Sequence, residues 1–447
     1  MSKMTRRTFT RSTAAVPFGL AALQTSTSKA RIIGANDSII CVFIGVANRG
    51  GQLLSAFTRQ DDLVVGALCD VNSATLAEAG ERFDPDGKAF RTDDFRRLIE
   101  RDDLDAIAIA TPDHWHALMS IHSCAAGKDV YVEKPMSATV VEGRKMVEAA
   151  RRFDRVVQVG THRRSSPLYQ ELAAIGADNK VGPVTVGRAY RLSNMWPDGI
   201  GRAEPSPAPA ELDWDMWLGP RPARPYQDNI APYKFRWWGL YSSQTGNWGV
   251  HFLDALRWLT GETAPSSVCM MGGRYAVDDD RTVPDTAQST FEFDSGRLFV
   301  FGQFEANGNP AVATDEEYRA LGEIELRGAK GTLYVSERSY RIFGERPGQF
   351  QTTGTRMEFE EGGVGGSNND LTGFHARNFL DCMRSRETPN ADVEIGHRST
   401  SMSLIANISW AMRQRLDWDA ENERFTNSDE ANEMLHYEYR EPWSLDV

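Results

Sequence analysis

The fold is decided by the stretch SIICVFIGVANRGG at residues 38–51. Residues 38–44 form a nearly unbroken apolar run, which is typical of a strand buried on both faces of a parallel sheet. The glycines that follow predict a tight turn, and the apolar spacing beyond them predicts a helix through Phe57. A second apolar strand at 63–69 ends in Asp70, twenty positions after Gly50. This order of strand, glycine turn, helix, strand and acid predicts a dinucleotide-binding unit.

Each part of this unit has a chemical reason. Gly45 permits the tight turn, and the N-terminus of the following helix offers free N–H groups and a positive dipole end to a diphosphate. Asp70 is expected to accept hydrogen bonds from the ribose hydroxyls and to repel a 2′-phosphate, which favours NAD over NADP. The pattern departs from G-x-G-x-x-G at the middle position, where Ala47 replaces glycine and its methyl group is expected to crowd the diphosphate. Arg49 could also meet a 2′-phosphate, so NADP stays open.

The alternation of strands and helices continues to about residue 160. We predict strands at 88–90, 105–110, 129–132 and 156–160, and helices at 72–83, 92–100, 117–126 and 140–153, with Thr92 as an N-cap. Six strands with helices between them predict a doubly wound parallel sheet in an α/β domain.

The strand at 129–132 leads directly into Glu133-Lys134-Pro135. Doubly wound sheets bind their ligands at this carboxyl edge, and Pro135 restricts Lys134 to an extended backbone. Lys134 is therefore a candidate to hold a substrate hydroxyl or to share its proton. A solvated lysine at a strand end is the alternative.

After residue 160 the pattern becomes mostly antiparallel. Predicted strands lie at 184–192, 268–277, 286–293, 298–305, 324–326 and 332–335, and helices at 373–384 and 397–414. Residues 203–210 predict a long loop. The aromatic stretches 213–220 and 233–238 suit either stacking against a sugar or a surface loop pinned by tryptophans. The tail around Trp443 is predicted to dock on another surface.

A second candidate stretch, GNWGVHFLDALRWL, lies at 246–259. Its apolar spacing is helical from Val250. Asn247, His251 and Asp254 then lie at i, i+4 and i+7 and share one face. A histidine beside an amide and a carboxylate is a reasonable proton acceptor, although a structural histidine near a helix start is the alternative.

Charge and cysteine content exclude several classes of protein. The 447 residues carry a formal net charge of -12, which repels nucleic acid and anionic membranes and fits a neutral or cationic small substrate. The five cysteines are scattered without C-x-x-C spacing, and we take Cys41 and Cys69 as core residues. His114 and His116 lack a complementary ligand set, so no metal site is predicted.

The N-terminus predicts an export signal. Residues 5–9 are the twin-arginine pattern TRRTF, residues 14–23 form a short apolar run, and residues 28–30 offer small side chains for cleavage. We therefore expect residues 1–30 to be a signal peptide and the mature protein to be periplasmic or otherwise extracytoplasmic. Free nicotinamide nucleotide is scarce there, so we expect a tightly held cofactor that is regenerated in place.

Together these motifs resemble the Gfo/Idh/MocA oxidoreductase family. The resemblance rests on the glycine turn at 45–50, TPDHWH at 111–116, EKP at 133–135 and GVHFLD at 249–254. It implies a Rossmann domain at 36–160 and, at 161–447, an α+β domain with a large, mostly antiparallel open sheet that binds substrate. Its C-terminal helices could pack back on the Rossmann domain. It also implies a homodimer or homotetramer formed through the sheet.

The resemblance further implies residue roles. Lys134 would polarise the substrate hydroxyl and His251 would take its proton. Asn247 stands where many members carry aspartate, and an amide cannot act as a base, which leaves His251 or Tyr233. The predicted cofactor-binding residues are Gly45, Ala47, Asn48, Arg49, Gly50, Asp70, Thr111, Pro112, His116, Glu133 and Lys134; those for substrate are Trp115, His162, Arg163, Tyr233, Asn247 and Asp254. Trp115 and His116 are expected beside the nicotinamide, with capping or packing as the alternative.

Three functions are compatible with these features. The first is an NAD(P)-dependent oxidoreductase acting on a sugar or polyol CH–OH group. The second is an NAD-dependent, redox-neutral glycosidase that works by oxidation, elimination, hydration and reduction. The third, suggested by Asn247, is a non-catalytic sugar-binding member of the family.

Overall fold

The structure is a computed structural model that describes Gly34 and residues 37–308, 323–350, 356–364 and 369–447. The predicted signal peptide at 1–30 lies outside the described residues. No helix in the described ranges is both long enough and apolar enough to cross a bilayer.

The N-terminal domain is built on a six-stranded sheet in the order β3-β2-β1-β4-β5-β6, and every neighbouring pair is parallel. This confirms the predicted doubly wound sheet. Its strands are β1 (Ile39–Ile44), β2 (Leu63–Cys69), β3 (Phe90–Thr92), β4 (Ala106–Ile109), β5 (Asp129–Val132) and β6 (Val157–Val159). Its helices are α1 (Asn48–Phe57), α2 (Ser73–Phe83), α3 (Arg96–Ile99), α4 (Asp113–Ala125) and α5 (Val140–Arg152).

Two local predictions in this domain were wrong. Thr92 is not a helix N-cap; it ends β3, and its hydroxyl accepts a hydrogen bond from the Asp94 amide at 3.1 Å, so α3 begins only at Arg96. Helix α4 begins at Asp113, earlier than expected, because a helix can start directly after Pro112. His114 and His116 therefore both lie in the first turn of α4.

The C-terminal domain carries a ten-stranded sheet among the described residues. The order is β14-β13-β12-β11-β7-β10-β9-β8-β15-β16. The strands are β7 (Val184–Leu192), β8 (Ser267–Gly273), β9 (Thr286–Glu292), β10 (Leu298–Phe304), β11 (Ile324–Gly328), β12 (Gly331–Val335), β13 (Ser339–Gly344), β14 (Glu360–Gly363), β15 (Leu416–Asp419) and β16 (Arg424–Phe425). Only β7 and β10 pair in parallel among the strand pairs of this sheet, so the predicted open, mostly antiparallel sheet is confirmed.

The helices of this domain are α6 (Pro167–Ala177), α7 (Trp214–Leu218), α8 (Val250–Thr260), α9 (Leu371–Ser385), α10 (Val393–Met412) and α11 (Asp429–Glu433). Helices α8 and α10 pack directly on the sheet. Phe252 of α8 stacks on Phe301 of β10 with ring centroids 5.9 Å apart, inside a core that also takes in α10. A π-helical turn, Thr245–Gly249, precedes α8.

The end of the chain returns to the N-terminal domain. Phe379 of α9 lies edge-on to Phe57 of α1, with ring centroids 6.2 Å apart. Trp443 packs edge-on against Trp115 at 4.8 Å and stacks on Phe95 at 6.2 Å. The predicted docking of the tail is confirmed, and its docking surface is the α3–α4 side of the Rossmann sheet.

Candidate active site

A cavity of about 340 Å³ opens at the carboxyl ends of β1, β2 and β4. It is lined on the Rossmann side by Gly45, Ala47, Asn48, Arg49, Asp70, Thr111, Pro112 and Trp115, among others. Ligands bind at this edge in doubly wound folds, because the strand order reverses beside β1. We call it the nucleotide cavity.

The glycine turn is built for close backbone approach. Gly45 has φ +77°, and a Cβ there would lie 2.8 Å from the Ala110 and Thr111 backbones. A Cβ at Gly50 would lie 1.8 Å from the Gly45 carbonyl oxygen. No side chain among the described residues caps the N-terminus of α1, so its first amides are available to an anion. The arrangement fits the diphosphate of a dinucleotide, and the Ala47 methyl lines the cavity without closing it.

Asp70 lies where a ribose would be bound. Its carboxylate accepts hydrogen bonds from the amides of Val46 and Asn72, each at 2.9 Å, and burial raises its pKa. Asp93 and Glu211 line the same cavity. Three carboxylates in one lining disfavour a 2′-phosphate and fit NAD.

Arg49 also lines this cavity, but its side chain is paired with a different carboxylate. That Arg49 could meet a 2′-phosphate stays a prediction. Its Nε donates to Glu133 at 2.7 Å, and its Nη2 lies 3.3 Å from Nδ1 of His162. Coulombic attraction to Glu133 raises the pKa of Arg49 in spite of its burial. The paired guanidinium therefore lies at the boundary with a second cavity, which Arg49 also lines.

This second cavity, of about 280 Å³, lies between the two domains, and we call it the catalytic cavity. It brings together most of the predicted site residues: Asn48, Arg49, Thr111, His116, Glu133, Lys134, His162, Arg163, Tyr233, Asn247 and His251. Lys134 of the Rossmann domain and His251 of the sheet domain thus meet in one space, as the sequence predicted.

Lys134 is held in a fixed orientation. Its Nζ donates to the backbone oxygen of Asn247 at 3.0 Å and to Oδ1 of Asn247 at 2.9 Å. Loss of solvent lowers the pKa of Lys134 to about 8, although Glu133 and Asp113 oppose the shift. An ammonium has three donors, so one remains for a substrate oxygen.

His251 lies beside a second imidazole. The rings of His251 and His162 have centroids 5.3 Å apart. Burial lowers the pKa of both histidines, and the charge of Lys134 acts in the same direction on each. None of the hydrogen bonds between described residues involves the ring of His251, which leaves a neutral imidazole that can accept a proton.

Trp115 and His116 line different cavities, and their place beside the nicotinamide stays a prediction. Trp115 faces the nucleotide cavity, where its Nε1 donates to the Trp217 carbonyl at 3.1 Å. His116 lines the catalytic cavity, but its ring nitrogens lie 2.7 Å and 2.8 Å from the carbonyl oxygens of Pro135 and Thr111. His116 therefore joins the segments before α4 and after β5, which agrees with the packing part of the alternative.

Asp254 is a structural residue, not a substrate ligand. It is 1% exposed and accepts hydrogen bonds from Nε of Arg164 at 2.8 Å and from the Ser399 hydroxyl at 2.6 Å. The predicted common face fails because Asn247 lies in a π-helical turn, which breaks the 3.6-residue period assumed across it. Asp254 points into the protein, away from the cavity that His251 lines.

Arg163 and Tyr233 form other parts of the catalytic cavity wall. Arg163 is 4% exposed and pairs with Glu323 at 2.7 Å and with Glu337 at 3.4 Å. Tyr233 is 47% exposed, and the guanidinium of Arg236 lies 4.2 Å from its ring centroid. Both residues line the cavity, as expected for groups that meet a substrate.

Several lining residues were not predicted: Gln52, Asp113, Arg236, Trp248 and Glu337. Asp113 accepts a hydrogen bond from the Ser242 hydroxyl and lies within the 111–116 motif, which was the available signal. Arg236 lies in the aromatic stretch at 233–238. In the two aromatic stretches, Trp217 and Trp238 are buried and pin the loop, as in the second alternative, whereas Trp214 and Trp237 are half-buried. Within the described ranges, no cluster of His, Cys, Asp and Glu could hold a metal.

Two family models match the chain. One, described as an oxidoreductase family with an NAD-binding Rossmann fold, matches residues 39–161. The other, its C-terminal alpha/beta domain, matches residues 181–306 and 370–445. The chain belongs to the Gfo/Idh/MocA oxidoreductase family. Its Rossmann domain is therefore an NAD-binding domain, and the fit of the nucleotide cavity agrees with this.

Curated relatives match only part of this Gfo/Idh/MocA chain. A glycosyl hydrolase family 109 protein of Shewanella sp. (strain W3-18-1) is 32% identical over 139 residues, which is 30% of each protein. An alpha-N-acetylgalactosaminidase of Shewanella oneidensis is 33% identical over 119 residues, 25% of this chain and 26% of that protein. The matches thus span less than a third of the length of these relatives.

Solved structures share the fold over most of the chain. A levoglucosan dehydrogenase in complex with NADH and levoglucosan aligns with a TM-score of 0.64 at 18% identity, over 85% of this chain and 99% of that chain. An aldose-aldose oxidoreductase from Caulobacter crescentus, complexed with glycerol, aligns with a TM-score of 0.62 at 16% identity, over the same shares. At these identities the likeness concerns the fold alone.

Proposed function

We propose that the protein is an NAD-dependent oxidoreductase that acts on a CH–OH group of a sugar or polyol. The observation that carries the proposal is the meeting of Lys134 and His251, from two domains, in a cavity that adjoins the nucleotide cavity. Each group is in a suitable state: Lys134 is oriented by Asn247, and His251 is a neutral acceptor.

The chain's own residues account for substrate binding and proton transfer. Lys134 donates its remaining N–H to the reacting hydroxyl oxygen and stabilises charge that develops there. His251 takes the hydroxyl proton, and Tyr233 is the alternative acceptor. NAD, when bound across the two cavities, supplies the hydride acceptor.

A carbohydrate substrate is supported by the polar wall of the catalytic cavity. Charged and imidazole groups such as Arg163, His162 and Glu337 can hydrogen-bond several hydroxyls at once. The structural neighbours that act on levoglucosan and on aldoses support the same class.

A redox-neutral glycosidase is the second candidate, and the curated glycosyl hydrolase relatives favour it. In that reaction a ring hydroxyl is oxidised, the aglycone is eliminated, water adds, and the ketone is reduced, so no nucleotide is consumed. The same lysine and histidine would serve both candidates, because each begins with oxidation of a CH–OH group.

One experiment separates the two candidates. The protein as isolated is incubated with a panel of aryl glycosides and free sugars without added nucleotide, and products are identified by mass. Release of aglycone with no net NADH supports the glycosidase. Oxidised sugar with an equivalent of bound NADH, discharged by a second sugar, supports the oxidoreductase. Binding of sugar with neither product contradicts both and leaves a non-catalytic binding protein.

Export and self-association belong to the same proposal. The twin-arginine pattern at residues 5–9 supports an extracytoplasmic location, which fractionation of cells expressing the full chain tests. Met271, Leu298 and Phe343 alternate along their strands with the buried Met270, Phe299 and Ile342, so they lie on the outer face of the large sheet. This exposed apolar face supports a homodimer or homotetramer, which light scattering after gel filtration tests.

A further inference from the structure

A segment of the second domain lies across the nucleotide cavity. We call residues 203–241 the strap. The Ser73 amide donates to the Glu211 carbonyl at 2.8 Å, and the Asp213 amide donates to the Val71 carbonyl at 2.9 Å. These bonds attach the strap to the chain directly after Asp70. Pro209, Glu211, Leu212, Met216, Tyr226 and Pro232 of the strap form the outer wall of the cavity.

The strap is anchored at several further points. Its Trp217 carbonyl accepts a hydrogen bond from Nε1 of Trp115 at 3.1 Å. Arg440, from the C-terminal tail, donates to the Gly219 carbonyl at 2.9 Å. Trp217, Tyr226, Ile230, Phe235 and Tyr241 pack into a core of the strap's own. The strap is therefore a folded wall on one side of the nucleotide cavity.

Arg236 lies where the two cavities meet. Six residues line both of them: Asn48, Arg49, Ala110, Thr111, Tyr233 and Arg236. Asn48 is the first residue of α1, so one side of this junction is the helix N-terminus that fits a diphosphate. Tyr233 and Arg236, carried by the strap, form the other side.

Arg236 also lacks a carboxylate partner. Of the other cations in the catalytic cavity, Arg49 pairs with Glu133 and Arg163 with Glu323, while Lys134 is held by Asn247. No ion pair between described residues includes Arg236, which donates only to the Tyr233 carbonyl at 2.9 Å. Burial lowers the pKa of Arg236, although Asp113 and Glu133 attract its charge from beyond ion-pair distance. Direct contact with an anion would offset the cost of this desolvation.

We infer that Arg236, held over the junction by the strap, binds the cofactor's diphosphate opposite the N-terminus of α1 and so retains NAD through turnover. The inference rests on the proposed function only because it takes NAD as the cofactor. It does not depend on which sugar reaction the protein catalyses. It assigns cofactor retention to the second domain, in addition to the Rossmann turn. It also gives a physical basis for a cofactor that is regenerated in place.

The test measures cofactor exchange without any sugar. Protein as isolated is mixed with isotopically labelled NAD, desalted at intervals, and its bound nucleotide is identified by mass. Wild type is expected to exchange slowly, and Arg236→Gln about 10- to 100-fold faster, since a charge-assisted hydrogen bond is lost. Arg236→Lys keeps the charge, so its exchange rate is expected to lie between those of wild type and Arg236→Gln. An intermediate rate would show that the faster exchange of Arg236→Gln comes from the lost charge and not from misfolding.

Lys234→Gln is the matched control. It removes the same charge from the same short helical segment, but Lys234 lines neither cavity and donates to the Ile200 carbonyl. Its exchange rate is expected to equal that of wild type. Affinity for ADP-ribose, which contains the diphosphate, should fall in Arg236→Gln, whereas affinity for adenosine should not.

Four results would overturn the inference: unchanged exchange in Arg236→Gln, equal acceleration in Lys234→Gln, equal weakening of adenosine and ADP-ribose, or wild type isolated without nucleotide. If the true partner of Arg236 is a substrate carboxylate, Arg236→Gln should lose affinity for the sugar while its rate of NAD exchange stays unchanged. A wild type that retains NAD but converts no sugar would refute the proposed function and leave the role of Arg236 intact.

Discussion

The ammonium of Lys134 and the amide of Asn247 form the pair on which the proposed chemistry depends. Two neutral oxygens of Asn247 orient the lysine without adding a negative charge beside it. Burial can then lower the pKa of Lys134 to about 8. The amide that seemed at odds with a proton relay therefore has a role in positioning the lysine and keeping its pKa low.

Replacing Lys134 with methionine should abolish turnover and spare the cofactor. Methionine keeps an unbranched chain one atom shorter than lysine but has no proton to donate, and groups of this kind contribute about 10²- to 10⁴-fold to rate. We expect kcat to fall by that factor while bound NAD is unchanged, as measured by steady-state kinetics and mass analysis of the bound nucleotide. Lys145→Met, on the exposed side of α5, is the control. Loss of NAD from the Lys134 variant would instead make the lysine a cofactor ligand.

Asn247→Asp should move the alkaline side of the pH–rate profile. The protonated form of Lys134 is the donor, so kcat/KM should fall as pH rises through about 8. A carboxylate at residue 247 favours the charged ammonium and raises the pKa of Lys134, so the decline should begin at higher pH. The acid side of the profile depends on neutral His251, whose pKa is lowered by burial. The decline in kcat/KM at low pH should therefore begin below pH 6.5 in wild type and in Asn247→Asp. A variant with an unmoved alkaline limb would contradict the assignment to Lys134.

Some of these residues were predictable from the sequence and others were not. Lys134 follows a recognisable strand, and His251 begins a recognisable helix, so their convergence could be expected from the carboxyl-edge rule. Asp254 and Trp115 could not be separated from them, because motif spacing does not say whether a polar group meets a cavity or a buried partner. For Asp254 that partner is Arg164, ninety positions away in the chain.

At the scale of elements, the strands with strong apolar patterns were predicted to within a few residues. Strands β14 to β16 were missed because β14, with the sequence EEGG, has no apolar alternation and β15 and β16 are only four and two residues long. Strand β13 was also missed, although Tyr340 and Ile342 alternate in it. The π-helical turn at 245–249 was missed for a different reason: its side chains satisfy a helical pattern with either period. The strap has little regular structure, so only its anchoring hydrogen bonds reveal that it covers a cavity.

The anchoring of α8 provides a test at this scale. Asp254→Asn keeps the shape of the side chain but leaves Arg164 buried beside a neutral group, and breaking a buried pair in this way costs about 3–5 kcal/mol. We expect the free energy of unfolding in urea to fall by that amount, with KM for sugar unchanged in the folded protein. Asp381→Asn, whose pair with Arg377 is exposed, should change stability by less than about 1 kcal/mol. A raised KM with unchanged stability would restore Asp254 as a substrate residue.

At the scale of the molecule, both domains and the chain end enclose one ligand-binding space. The Rossmann sheet supplies the glycine turn and Lys134, the second domain supplies His251 and the strap, and the tail holds the strap from outside. Sequence patterns predict each domain separately, since they depend on local periodicity. They do not predict the enclosure, because it depends on contacts such as Arg440 with Gly219 that join distant parts of the chain.

The tail should therefore affect cofactor retention although it touches neither cavity. Trp443 packs on Phe95 and Trp115, and Trp115 in turn donates to the strap. Trp443→Ala should lower the free energy of unfolding by about 1–3 kcal/mol through lost apolar burial. It should also speed exchange of bound NAD, measured with labelled nucleotide, while leaving the pH–rate profile in place because Lys134 and His251 are untouched. Trp196→Ala, at a tryptophan that is 63% exposed, is the control. If Trp443→Ala loses stability but exchanges NAD at the wild-type rate, the tail only supports the Rossmann core and the strap holds the cofactor without it.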